Sequence, residues 1–206
     1  QQPQGFSKRS PQDGATVRFI RLAHDGPDWD DGMQKATGNA DMNFLTEFAR
    51  STGFAISDRS ESHPIAVLAK YHPGYAPPFV YLTGSEKIIA SKKDIVALRE
   101  YVNEGGLLFA DAGAKEFHQH FVSFIKNVLP DKELVAIEND DPLFQKPYVF
   151  FNGPPMVRAY GEPKCLGIKD EDRWCVFYYP GNLNEGWKSD ADKLDPDVVA
   201  ATHQLG

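Results

Sequence analysis

The 206-residue chain is poor in sulfur, with 2 Cys and 3 Met, and poor in positive charge, with 22 Lys and Arg against 29 Asp and Glu. Two cysteines with no neighbouring His pair do not make a structural zinc site, which takes four thiolate or imidazole ligands. The formal net charge of -7 argues against a nucleic-acid backbone or an anionic membrane as partner, since both are held through basic surface. No apolar run approaches the roughly 20 residues that cross a bilayer. Nor does an initiator Met open the chain, which starts Gln1-Gln2. Removal of a signal peptide leaves such a start, so the expectation is a periplasmic or otherwise extracytoplasmic protein. The most informative absence is central. Tyr101 to Gly113 reads as a helix that passes through Gly105-Gly106 into a buried strand stopping at Asp111-Ala112-Gly113. In a parallel α/β sheet such a stop carries ligands and nucleophiles, yet neither Cys nor Ser stands there.

What is present suits one soluble domain: 41% hydrophobic and 12% aromatic residues, with 17 Gly and 15 Pro marking many loops. This length buries a single core without metals or a disulfide lattice. Residues 1–15, rich in Gln, Pro and Gly, predict a flexible leader, and 16–206 a single α/β domain. Strands are expected at Thr16–Ala23, near Phe54–Ile56, at Phe79–Thr83 and at Leu107–Ala110. Helices are expected at Asn39–Gly53, Lys92–Asn103 and Ala114–Val128, where apolar residues recur at helical spacing. Strand alternating with helix predicts a doubly wound, mostly parallel sheet. From Leu134 onward the rhythm changes. Leu134–Ile137, Tyr148–Phe151, Lys164–Ile168 and Arg173–Tyr179 read as short strands of an antiparallel C-terminal extension, with little helix until Asp195–Thr202. Cys165 and Cys175 flank a polar, turn-rich segment. A hairpin centred on Asp170 sets them opposite one another, close enough for a disulfide.

Several segments taken in order resemble a bacterial family known as domain of unknown function 4159. They are the acidic loop with Asp28-Trp29, Phe79 to Gly84, Leu98 to Gly106 with its strand Leu107–Asp111, Phe117 to Pro130, Asp140 to Phe144, and Gly186-Trp187. The likeness spans about residues 16–190. It implies a class I glutamine amidotransferase-like domain with a flavodoxin-like sheet. In active amidotransferases a Cys, aided by a His and a Glu, occupies the elbow after the central strand. Ala112 and Gly113 depart from that pattern, so the resemblance implies a fold and no activity.

The carboxyl ends of the strands are expected to collect His24, Asp25, Asp28 and Trp29 from the first loop, Ser85 and Glu86 from a later one, and Asp111 from the central strand. These are the ligand-binding candidates, together with Trp187, which pairs with Trp29 as a second flat wall for a glycan or peptide. Asp111, His24 and His118 are the candidates for acid-base chemistry. Loop carboxylates more often close turns and cap helices. The leading expectation is therefore an exported, non-catalytic binding or assembly module that holds a protein partner or a glycan, with no cofactor. One alternative is a hydrolase in which Asp111 or His24 activates water, with or without a metal. Another is an accessory subunit of a larger envelope complex.

Overall fold

The computed structural model describes residues 16–205 except 73, 147, 159, 162, 190, 192 and 193; the expected leader lies outside the described residues. The chain folds as a flavodoxin-like α/β domain around one seven-stranded sheet. Its strands are β1 (Ile20–Ala23), β2 (Glu61–Pro64), β3 (Phe79–Leu82), β4 (Leu107–Asp111), β5 (Val135–Ala136), β6 (Leu166–Asp170) and β7 (Arg173–Tyr179). They lie in the order β2-β1-β3-β4-β7-β6-β5. The five strands from β2 to β7 are parallel, and β6 and β5 add antiparallel strands at one edge. Helices α1 (Ala40–Thr52), α4 (Leu183–Trp187) and α5 (Pro196–Leu205) pack on one face, and α2 (Lys92–Asn103) and α3 (Lys115–Val128) on the other.

The local sequence explains these elements. Helix α1 stops because Gly53 takes the left-handed conformation at φ 77 and its N–H returns to Ala49 O, a conformation that favours glycine. Ser91 and Asp94 close a reciprocal capping box at the start of α2. After α2 the chain doubles back beneath its own Tyr101. A Cβ on Gly106 would stand 2.2 Å from that ring, so only glycine brings the helix so near β4. The sheet is buried on both faces. Val80, Leu82, Leu108 and Ala110 meet α2 and α3, while Tyr81, Phe109 and Phe177 meet an aromatic layer that includes Phe19, Phe44 and Trp187.

Four expectations are corrected. The second strand is the polar Glu61–Pro64, and Ile65–Lys70 coils as a 3-10 turn. β2 sits at the sheet edge, where no second apolar face is required. At Phe54–Ile56 only an isolated bridge from Ile56 to Val17 forms, and Tyr148–Phe151 forms no strand. Helix α4 was not anticipated, since five residues carry too little periodicity to read. The disulfide does not form: both cysteines are free and buried. The hairpin turns at Glu171-Asp172, with Glu171 at φ 54, and pairs Leu166 with Tyr178 and Ile168 with Val176. Cys165 is thereby level with the end of β7. Cys175 is the extra residue of a bulge, with its Sγ 3.3 Å from Ile168 O. The two thiols belong to cores on opposite faces of the sheet.

Candidate functional site

Strands β1 and β3 end just before His24 and Thr83, and β4 and β7 end at Asp111 and Tyr179; the side chains expected there are largely committed to partners within the fold. Asp111 is fully buried. Its carboxylate accepts from Tyr81 OH at 2.9 Å and from the backbone N–H groups of Leu183 at 2.8 Å and Asn184 at 2.9 Å, so it anchors the first turn of α4. Burial pushes its carboxyl up to about 6 against the pull of those three donors. The elbow that follows is shaped by close approach rather than by a nucleophile. Gly113 N–H donates to Gly84 O at 3.0 Å, and a Cβ on Gly113 would stand 2.7 Å from that oxygen.

His24 is likewise spent. Its Nδ1 accepts from Gly26 N–H at 3.0 Å, which leaves Nε2 to carry the proton and donate to Thr83 O at 3.0 Å. Burial favours this neutral ring and pushes its pKa down. The imidazole thus bolts the first loop to the end of β3 across the point where the strand order reverses, the place where open α/β sheets hold ligands. Ser85 Oγ donates to Asp28 across the same gap. Asp25 and Glu86 are exposed on its rim. His118, half-buried on α3, stacks on Tyr178 and pairs through Nδ1 with the Tyr178 hydroxyl at 2.9 Å. Among the described residues no group of three or more His, Cys, Asp or Glu side chains converges as a metal site would require.

The two tryptophans part company. Trp187 is fully buried, its Nε1 donating to Thr202 O at 3.0 Å and its ring edge-on to Phe44 at 4.9 Å. Trp29 instead lines an open groove between the first loop, α1 and the segment 58–62. They share no wall.

Sequence reasoning missed the group that organises this end of the sheet. Arg21 is fully buried and ion-paired with the fully buried Asp41 of α1. It donates to Asn184 Oδ1 at 2.8 Å and to the carbonyls of Trp29 at 3.1 Å and Asp31 at 2.8 Å. Its guanidinium lies 5.1 Å from the centre of the Tyr81 ring, which in turn bonds Asp111. Burial pushes the Asp41 carboxyl up, and Arg21 pulls it down. A signal did exist. Arg18 and Arg21 are three apart in the strand expected at Thr16–Ala23, an arrangement that sets them on opposite faces, and a sheet covered on both faces must bury one of them against a partner.

A family model for a domain of unknown function, DUF4159, matches residues 18–204. The chain belongs to that family. The match takes in every element from β1 to nearly the end of α5, including the Arg21 network and the elbow at Asp111. Among curated proteins none matches the chain. The family description brings no activity with it, so function rests on the geometry of this domain.

Proposed function

We propose that the chain is a binding or assembly module that performs no chemistry of its own, built on an amidotransferase-like variant of the flavodoxin-like fold and acting outside the cytoplasm. The observation that carries this reading is Asp111: at the elbow where catalytic relatives of such a fold would place a nucleophile, the one polar side chain is sealed from solvent and spent on three donors. His24 and His118, the other candidates for proton transfer, also have ring nitrogens engaged. A general base must reach its substrate, and Asp111 has no path to one.

The occupant favoured is a protein segment bearing apolar side chains. On the α1 face the sheet is incompletely covered, and a groove of about 260 Å³ lined by Phe79, Phe109, Trp174, Phe177 and Leu205 opens beside exposed Leu143. Val149 and Phe151, in the segment that follows Leu143, are also exposed apolar side chains, Phe151 being 84% exposed. Patches of this kind mark contact surfaces. The test compares three forms of the chain expressed in its native host and purified gently. The expected result is that wild type and Asp111→Asn carry the same partner in native mass spectrometry, that Leu143→Ser with Phe151→Ser loses it, and that none turns over p-nitrophenyl esters, glycosides or anilides. Turnover by wild type that disappears in Asp111→Asn overturns the reading in favour of a hydrolase.

A further inference from the structure

We propose that the open groove around Trp29 is a binding site for a neutral saccharide. The groove measures about 450 Å³, within the roughly 300–1,000 Å³ of small-ligand sites. It lies on the other side of α1 from the apolar surface assigned above to a protein partner, and so stands independently of that assignment. Half-buried Trp29, Met33 and Met42 are among its lining residues. An indole face carries the negative side of its quadrupole and buries large area at small entropic cost, which suits the ring C–H groups of a sugar.

The polar rim supplies the second half of the recognition. Gln34, Asn39, Asp58 and Arg59 line the groove, and their side chains make no hydrogen bond to other described residues. This contrasts with the strand ends, where Asp111, His24 and Ser85 are all engaged. Planar amide, carboxylate and guanidinium groups that share a groove with an indole and have no partner among the described residues match the vicinal hydroxyls of a sugar, which both donate and accept. Asn39 is notable because it occupies the N-cap position of α1, at φ 57, yet its side chain caps nothing. The charges of the lining balance in number, Asp30 and Asp58 against Lys35 and Arg59. A site for phosphate or another anion would carry an excess of positive charge, so the balance points to an uncharged ligand.

The platform is also held in place before any ligand arrives. Buried Arg21 grips the carbonyls of Trp29 and Asp31 from beneath, and Lys188 pairs with Asp31 at 2.6 Å. Ordering the loop in advance lowers the entropic cost of binding. Arg21 is a positioning residue in this account, acting through the backbone of Trp29.

The three tryptophans give the test an internal control. Each yields one indole N–H signal in a nitrogen-15 correlation spectrum of the full chain. Those of Trp174 and Trp187 are bonded to Asp141 and Thr202 O. The probes are maltotetraose, cellotetraose, mannotetraose and chitotetraose at roughly 10 mM, enough to fill most of a site of millimolar affinity, with glucose 6-phosphate as the charged comparison. The expected result is a saturable shift of the Trp29 signal with at least one neutral tetrasaccharide, unchanged by about 0.5 M NaCl. Asp58→Ala, which leaves the indole in place on an exposed segment, is expected to weaken that binding roughly tenfold by removing a charged hydrogen-bond acceptor. Trp29→Ala is expected to abolish it while retaining the apolar-surface partner, which separates failure here from failure of the assembly role. If no neutral probe moves the Trp29 signal, if Asp58→Ala binds like wild type, or if glucose 6-phosphate binds better in a salt-sensitive way, the assignment is wrong.

Discussion

Asp111 shows how one carboxylate changes meaning with its surroundings. Read along the chain it is the acid of an elbow; in the fold it is an acceptor that ties α4 to β4. Its pH behaviour follows. Burial raises the folded-state pKa from the ordinary 3.8 to about 6, above the value in the unfolded chain. The contribution of this group to stability is therefore whole below about pH 4 and is lost as pH rises through about 6, by at most about 3 kcal/mol. Asp111→Asn removes the titration. Urea unfolding of both proteins at several pH values is expected to show the stability of wild type relative to the variant falling between pH 4 and 7.5. A difference that grows with pH means the three donors outweigh burial.

At the scale of elements, the short helix α4 owes its place to contacts at its ends rather than to its own propensity, as five residues are far below the length at which helices persist alone. Asp111 receives its first N–H groups, and Asn182 caps it, accepting from Glu185 N–H at 3.2 Å while itself at φ 60. Loss of such a cap costs about 1 kcal/mol, and a non-glycine residue in the left-handed region costs about 1–2 kcal/mol more. Asn182→Ala is thus expected to destabilise by about 2 kcal/mol and Asn182→Gly by about half as much, measured by thermal or denaturant unfolding. Equal losses would show that backbone conformation is not the difference. The helices α1, α2 and α3 are legible from periodicity and caps because each is long enough to repeat its apolar face. α4 is not, and neither is β2, because an edge strand with a polar sequence looks like a loop until its neighbour β1 is placed beside it.

Across the whole molecule, the two sheet faces form separate cores, and this decides the state of the cysteines. Cys165 packs with the aromatic layer and Cys175 with the α2 and α3 side. Burial pushes both thiols upward in pKa, further suppressing their reactivity. The melting temperature is expected to be the same with and without dithiothreitol, and intact mass to show two thiols that label only after unfolding. A reductant-dependent melting temperature would restore the disulfide and require β6 to slide by several residues along β7.

Local order was written in the chain itself: the strand-helix alternation, the glycine turn into β4, the antiparallel ending and each motif of the family resemblance rest on residues near one another. The same local reading placed His24, Asp28, Ser85 and Asp111 at the strand ends, where the fold does bring them. It did not reveal that they are already satisfied, that Trp187 is core while Trp29 is surface, or that Arg21 sits at the centre. Those facts depend on partners such as Asn184, 163 positions from Arg21. A side chain's hydrogen-bonding capacity is visible in sequence, but whether folding has already filled it is decided only when distant segments are packed against each other.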